Sequence, residues 1–369
     1  MRRFLVVVCL ALGAAPAAGA GVGVDASRAF ARPLFTSSPG GVVATAARVE
    51  RWHRLAVRAT RGTSIAPALL EAMIFVESSG RPKVVGLEGH RGLTQLSARG
   101  MRPAAQLRAT VRKLVRARRA LGRLDLAVAS YHLGIAPLRH ASSYASFYFT
   151  TPASGTAADY YWKVLAAERV LHLYRTDRRE LRYEHRLQSR KNSAEEVLHP
   201  RRTTVQFHTP AAIAQAWHRH YLVTIPTDTA RTHIRISGQL GQLAKRLHKK
   251  RRLYATLRPQ ALDVLLYIGR HMRGWKPLLL TSAVRDDRYQ RLLTRINPVA
   301  TKAYSVHTTG YAFDIRRSFV SVAEKRAFFR LLGRLQAVDA IAYIPELAAM
   351  HIAVASDAPA KLALLDRLQ

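Results

Sequence analysis

The apolar residues of this chain change their spacing once, and that change limits the folds available to it. Before residue 175 they recur at helical period in four stretches, residues 42–60, 104–121, 124–133 and 157–174. From Lys276 onward short apolar runs typical of strands follow, at residues 277–282, 310–315, 340–344 and 350–354. A capping box, Ser321-x-x-Glu324, opens a helix over residues 322–336. The sequence therefore predicts a multi-domain protein, with an all-α N-terminal domain and an α+β C-terminal domain.

The N-terminus is typical of a secretory signal peptide. Arg2 and Arg3 precede an apolar run over residues 4–12, and Ala18-Gly19-Ala20 supplies the small residues for cleavage near Ala20. The run is too short to span a bilayer, so we expect an exported protein, secreted, periplasmic or wall-associated, without a transmembrane segment. The predicted division is a signal peptide at 1–20, a leader at 21–54, a first domain at 55–176, a linker and intermediate region at 177–255 and a second domain at 256–369.

Net charge and cysteine content limit the partners and the chemistry expected of this chain. The formal net charge is +36, and in an exported protein this favours an anionic wall polymer as partner, although a merely solvated basic surface is an equally open interpretation. The sequence has no zinc-finger cysteines and no Gly-rich phosphate loop, so we expect no nucleic-acid partner. Cys9 is the only cysteine and lies in the predicted signal peptide, which leaves no disulfide or thiol chemistry for the mature chain.

One acidic residue in the helical part lies at an unusual position. Glu77 is spaced at i+7, i+4 and i+3 from Leu70, Met73 and Ile74, so its carboxyl group is expected at the end of an apolar helix face. Such a group loses hydration, and its neutral form is favoured. A glycosidase needs a protonated carboxyl group of this kind for the leaving sugar oxygen, whereas a structural glutamate would extend from the last helical turn into water.

Three sequence blocks around Glu77 resemble a known family. Residues 77–80 (ESSG), 92–95 (GLTQ) and 129–134 (ASYHLG) follow the order of the E-S, G-L-M-Q and A-Y-N-x-G blocks of soluble lytic transglycosylases, over roughly residues 55–175. The resemblance implies a lysozyme-like fold with Glu77 as the catalytic acid and base. By position it implies substrate contacts from Ser78, Gln95, Tyr131, His132 and Tyr160. Thr94 stands where the family has Met, Ser130 where it has Ala, and His132 where it has Asn.

A second motif lies near the C-terminus. Residues 305–315, SVHTTGYAFDI, and residues 350–354, MHIAV, resemble the ligand segments of zinc D,D- and L,D-carboxypeptidases of the VanY and VanX type. The resemblance implies a Zn²⁺ site made by His307, Asp314 and His351, which is the ligand set of a catalytic zinc with a position left for water. It also implies a substrate-facing Arg285. The family's acidic base is replaced by Ala348, and Glu346 is the nearest acid; without a base the site would bind peptide and not cut it.

Together these resemblances predict an exported enzyme of peptidoglycan remodelling. It would cleave the β-1,4 bond between N-acetylmuramic acid and N-acetylglucosamine with a 1,6-anhydro product, and its second site would bind or trim stem peptides. Three alternatives stay open: a muramidase in which Glu88 positions water, a non-catalytic cationic wall-binding protein, and a cytoplasmic nucleic-acid binder without a true signal peptide.

Overall fold

The computed structural model describes residues 29–86, 89–96, 100–151, 157–188, 193–297 and 300–368. The predicted signal peptide and Glu88 lie outside these residues. Up to residue 200 the described chain forms helices, and no strand occurs in it before Val223. These helices are α1 (Ala31–Ser37), α2 (Val42–Glu50), α3 (His53–Thr60), α4 (Pro67–Ser78), α5 (Pro103–Leu121), α6 (Leu124–Leu133), α7 (Tyr144–Thr150), α8 (Tyr160–Thr176), α9 (Arg178–Gln188) and α10 (Ser193–Leu198).

Helix α4 lies at the centre of the helical part. Pro67 occupies its first turn, where a missing N–H costs nothing. Every side chain from Leu69 to Phe75 is buried, and α8 is the helix it packs against most extensively. Gly80 follows its end at φ 74°, and a Cβ atom there would lie 2.9 Å from the backbone of Arg48, so only glycine allows α2 to approach this closely. The end of α4, where Glu77 lies, is therefore held firmly.

The C-terminal part combines helices with two sheets. Its helices are α11 (Pro210–His218), α12 (Thr229–Thr232), α13 (Pro259–His271), α14 (Asp287–Ile296), α15 (Val322–Ala337) and α16 (Ala358–Leu368). Its strands are β1 (Val223–Thr224), β2 (Ile234–Ile236), β3 (Thr256–Leu257), β4 (Leu278–Ser282), β5 (Ala312–Arg316), β6 (Ile341–Pro345) and β7 (Ala349–Val354). β1 pairs with β3, and the five-stranded sheet has the order β2-β4-β5-β7-β6, parallel only between β2 and β4.

Local signals explain the elements that the sequence predicts well. The four predicted strands of the C-terminal part coincide within two residues with β4, β5, β6 and β7. The predicted Ser321 cap also forms, since its hydroxyl accepts from the Glu324 N–H at 3.0 Å. The Glu324 carboxylate accepts from the Val320 N–H at 2.5 Å, one residue before the N-cap donor of a regular capping box. The mixture of a helical part and an α+β part is therefore present as expected.

The predicted leader and linker differ from what the structure has. Residues 29–54, within the predicted leader, form α1 and α2, whose Leu34, Phe35 and Val49 are buried in the core around α4. Within residues 177–255, β2 pairs with β4 and extends the main sheet. The helical spacing over residues 42–60 predicts α2 and α3, whereas α1 and β2 have seven and three residues and carry too little periodicity to be recognised.

The two parts of the chain are not separated by a gap in packing. One apolar cluster contains Phe149 and Trp162 from the helical part together with Leu280, Phe313 and Ile352 from the sheet. A second apolar cluster surrounds α4 and contains residues of the helical part only. The sheet therefore packs with α7 and α8 in one continuous apolar core.

Candidate functional site

The described residues contain two clusters of reactive side chains, and the first surrounds Glu77. The carboxyl side chain of Glu77, in the last turn of α4, is 8% exposed, and its Oε1 lies 3.0 Å from Nε2 of His132 at the end of α6. The His132 side chain is 40% exposed. A nearly buried carboxyl group is therefore hydrogen-bonded to an imidazole that reaches solvent.

Aromatic rings form the base of this cluster. The His132 ring stacks on Tyr160 with centroids 4.0 Å apart, and Tyr131 stacks on the same ring at 5.9 Å. The Tyr160 hydroxyl is buried without a well-formed hydrogen bond to any described residue, and burial, with the nearby Glu77 carboxylate, raises the pKa of Tyr160 well above its usual value. Tyr160 thus stays protonated, and its O–H is a donor held beside Glu77. Flat rings beside a carboxyl group are suited to the apolar face of a sugar.

Tyr131 connects this cluster to the GLTQ loop. Its hydroxyl donates to the Thr94 carbonyl at 2.8 Å, and burial raises the pKa of Tyr131 to about 12. The Thr94 hydroxyl in turn lies 2.7 Å from that of Thr110 on α5. These bonds fix the loop against the floor of the cluster.

Sequence reasoning missed Lys113, which belongs to this cluster. Its Nζ lies 4.1 Å above the Tyr131 ring centroid and donates to the Tyr131 carbonyl at 3.3 Å. Burial lowers the pKa of Lys113, and the Glu77 carboxylate acts in the opposite direction. In the sequence Lys113 is one of several basic residues on α5, and nothing distinguishes it from the arginines beside it.

Two other predicted substrate residues have structural contacts instead. The Ser78 hydroxyl is buried and donates to the Ile74 carbonyl at 3.1 Å. Gln95, at φ 50°, donates from Nε2 to the carbonyls of Gly92 and Val84 at 2.7 and 3.1 Å, which holds the loop closed. The structure therefore brings Glu77, Tyr131, His132 and Tyr160 together, and it gives Ser78 and Gln95 contacts within their own segments.

A second carboxylate on α4 has a different environment. Glu71 is fully buried and contacts Nδ1 of His53 and Nη2 of Arg175, each at 2.6 Å. Arg175 also contacts Glu50 at 2.8 Å. Glu71 therefore ties α3 and α8 to α4 and is occupied by its partners. The sequence offered no sign of it, because these partners are distant along the chain.

The second cluster lies on the main sheet. Asp314 of β5 and His351 of β7 are direct cross-strand partners, and Ser282 of β4 pairs with Asp314 on its other side. His307 lies in the 3₁₀ turn Val306–Thr309 that leads into β5. Gly310 closes that turn at φ 79°, and a Cβ atom there would lie 2.7 Å from the Leu222 side chain. Register and turn together thus bring three polar residues to one point.

Three ligand atoms of this cluster converge. Nε2 of His307 lies 3.1 Å from both Oδ1 of Asp314 and Nδ1 of His351, and the latter two atoms are 2.8 Å apart. Each of the three side chains is less than a tenth exposed. Atoms about 2.0–2.1 Å from a tetrahedral zinc lie about 3.3 Å from one another, so this triangle needs only a small expansion to hold one.

The protonation state of His307 leaves one ring nitrogen available to bind a cation. Its Nδ1 lies 2.7 Å from the Ala283 carbonyl, which can only accept, so Nδ1 carries the proton. Burial lowers the pKa of His307, with Arg285 adding to the effect, so Nε2 keeps its lone pair. Burial would raise the pKa of Asp314, but the two imidazoles hold that pKa well below its usual range. A nitrogen lone pair and an ionised oxygen therefore face each other, and His307, Asp314 and His351 form a group that could hold a metal ion.

Arg285 is bound to the carboxylate of this cluster. Its Nη2 donates to Oδ2 of Asp314 at 2.9 Å, and its other hydrogen bonds reach Ser282 and Gln290. The guanidinium group, predicted to face substrate, is thus joined to the second oxygen of Asp314. This orients Oδ1 toward the two histidines, as a group behind a metal ligand does.

Glu346 lies in the hairpin between β6 and β7. Its N–H donates to the Ala349 carbonyl at 2.9 Å, so Leu347 and Ala348 form the tip, and the residue is exposed. Ile344 is the cross-strand partner of His351, which makes Glu346 a diagonal neighbour of that histidine. Diagonal neighbours are about 7–8 Å apart, within reach of a long side chain. The hairpin thus turns Glu346 toward the face that carries His351.

Comparisons with known proteins add no identification. No protein-family model, curated protein or solved structure gives a significant match to the chain. Among the helices of the described residues, none has both the length and the apolar content to cross a membrane.

Proposed function

We propose that this protein is an exported peptidoglycan-remodelling enzyme whose helical part is a lytic transglycosylase. The observation that carries the proposal is the Glu77 cluster: one nearly buried carboxyl group lies beside stacked aromatic rings, with His132 as its hydrogen-bond partner. The resemblance of residues 77–80, 92–95 and 129–134 to the transglycosylase blocks supports the same assignment.

Of the two described carboxylates on α4 only Glu77 is available to a substrate, which favours transglycosylation over hydrolysis. Ordinary glycosidases use two carboxyl groups flanking the scissile bond. Among the described residues, the other carboxylate of α4, Glu71, is fully buried and paired with His53 and Arg175. A single group suffices when the nucleophile is a hydroxyl of the substrate itself.

In the proposed reaction Glu77 donates one proton and regains one. The Glu77 carboxyl group donates a proton to the glycosidic oxygen as the bond from that oxygen to the anomeric carbon breaks. The resulting carboxylate then accepts the proton of the muramyl 6-hydroxyl while O6 attacks the same carbon. The products are a 1,6-anhydro ring and a free 4-hydroxyl, and Glu77 is protonated again. The exposed His132 ring, stacked on the buried Tyr160, would support the sugar, and the Tyr160 hydroxyl would donate to Glu77 while it is anionic.

A muramidase is the rival reaction, and product mass separates the two. Hydrolysis consumes one water for each bond cleaved, so its reducing-end product is heavier by one water than the 1,6-anhydro product of transglycosylation. Mass spectrometry of digested sacculi should show anhydromuropeptides with the wild type and none with Glu77→Gln. Products with reducing ends would favour the muramidase with Glu88 as the second acid, and equal activity of Glu77→Gln would favour a non-catalytic wall-binding protein.

We also propose that the C-terminal part binds Zn²⁺ through His307, Asp314 and His351 and acts on stem peptides. When bound, zinc supplies a Lewis acid for attack on a peptide carbonyl. Arg285 would keep Asp314 oriented, and Glu346 would accept a proton from attacking water. Equilibrium dialysis against zinc tests the site directly, with one ion expected per wild-type chain and none for His307→Ala.

Location and partners follow from the same proposal. After cleavage near Ala20 the mature protein would be secreted, periplasmic or wall-associated, where its net charge of +36 would favour contact with peptidoglycan and anionic wall polymers. Fractionation that recovered the protein in the cytoplasm would instead favour the nucleic-acid binder.

A further inference from the structure

We propose that His132 is the proton-exchange partner of Glu77, through which the catalytic acid is charged from solvent. This rests on the transglycosylase function proposed above and adds a residue role to it. The transglycosylase blocks have asparagine at this position, and a carboxamide does not take up a proton near neutral pH. The exchange of asparagine for histidine therefore changes the chemistry available next to Glu77.

The geometry gives His132 the position that this role requires. Its Nε2 lies 3.0 Å from Oε1 of Glu77, which is a hydrogen-bond distance for direct proton transfer. The carboxyl side chain is 8% exposed and the imidazole 40%. A proton thus reaches the nearly buried acid most directly through the half-open ring.

The surrounding groups leave one shared proton between the two residues. Tyr160 lies under the imidazole and Tyr131 beside it, and both stay neutral because burial raises their pKa values. The Tyr160 face attracts an imidazolium ion. Lys113, above Tyr131, is the cation in the cluster; it favours the anionic carboxylate and opposes a second positive charge on His132. The hydrogen bond between His132 and Glu77 therefore lies between one neutral ring face and one nearby cation.

Substrate would move this shared proton. In the open cluster water and the Tyr160 ring face stabilise separated charges, and in this proposal the proton then lies on Nε2 of His132. A sugar that covers the cluster removes water, and a neutral pair is then favoured over two charges. The proton moves from Nε2 to Oε1, which leaves a neutral imidazole and a protonated Glu77. The acid is thereby armed only when substrate is bound.

The role predicts a shift in the pH profile. His132→Asn replaces the imidazole that exchanges a proton with Glu77 by a carboxamide that cannot do so, so the alkaline limb of anhydromuropeptide release should move down by at least about one pH unit. His140→Asn, which changes an exposed histidine after the same helix, is the matched control and should leave the profile unchanged.

A second readout does not depend on activity. An imidazole N–H bonded to a carboxylate gives a strongly downfield proton NMR signal. This signal should be present in wild type, absent in His132→Asn and displaced in Glu77→Gln. An unshifted alkaline limb in folded His132→Asn overturns the inference, as does a wild-type protein without the signal. If wild type releases no anhydro product at any pH, the proposed function fails and the catalytic role of His132 with it; a persisting signal would then place the error in the function and not in the pairing.

Discussion

The two clusters each bring several polar side chains together, but different secondary-structure elements do so and the exposure of the two clusters differs. The Glu77 cluster is assembled from helix ends and is half-open, since His132 reaches solvent above a bed of tyrosines. The cluster of His307, Asp314 and His351 is closed, and two of its three members are cross-strand partners. A sheet register brings residues together by backbone hydrogen bonds, whereas helix ends meet only through tertiary packing. The closed cluster is therefore suited to hold an ion, and the open one to admit a polymer.

The largest expected effect comes from the open cluster. Glu77→Gln should lower glycan cleavage by about 10³-fold, because the amide retains the shape and cannot donate the acid proton. Release of muropeptides from purified sacculi measures the rate. The melting temperature should stay unchanged, and a variant with near wild-type turnover would remove the open cluster from the chemistry.

The closed cluster is tested by its carboxylate. Asp314→Asn should weaken zinc binding by at least about 100-fold, because the amide removes the negative charge while nearly preserving shape. Competition with a chromophoric chelator measures the affinity. Asp287→Asn, which changes a more exposed carboxylate on α14, is the control and should bind zinc as wild type does. Equal affinities of the two variants would contradict the assignment.

The two carboxylates of α4 are expected to respond differently to substitution: Glu77 in activity and Glu71 in stability. Glu71→Gln should reduce the free energy of unfolding by about 2 kcal/mol, since it leaves His53 and a half-buried Arg175 without their buried anion. Urea denaturation of this variant beside Glu77→Gln gives the comparison. If both variants unfold at the same urea concentration, Glu71 is not the structural member of the pair.

The smallest effect is expected at Arg285, which orients the carboxylate of Asp314. Arg285→Lys keeps the positive charge and loses the planar fork that joins Asp314, Ser282 and Gln290. Zinc affinity should fall about 10-fold, as is usual for groups that orient a ligand. Isothermal titration calorimetry resolves such a change, and a loss as large as that of Asp314→Asn would mean that Arg285 does more than orient.

Local sequence patterns predict the site-bearing elements but not all that surrounds them. The strands at β4, β5, β6 and β7 and the cap at Ser321 were predictable because period and cap chemistry act over a few residues. The pairing of β5 with β7, which aligns Asp314 with His351, was foreseen only through the resemblance of their motifs. No local period encodes a contact between residues 37 apart.

Other features had no local signal. Lys113 reaches the Glu77 cluster only because α5 packs beside α6, and a basic helix face does not say which amine turns inward. Likewise, β2 in the predicted linker has three residues, too few to show alternation before its pairing with β4 is known. The salt bridge between Arg285 and Asp314 also depends on the sheet register.

The most direct test is mass spectrometry of sacculi digested with the mature protein and with Glu77→Gln, each with zinc and with a chelator. We predict anhydromuropeptides from the wild type under both conditions and none from Glu77→Gln, while stem-peptide shortening appears only with zinc and in both proteins. Reducing-end products, or anhydro products from Glu77→Gln, would contradict the central claim that the Glu77 cluster is a transglycosylase site.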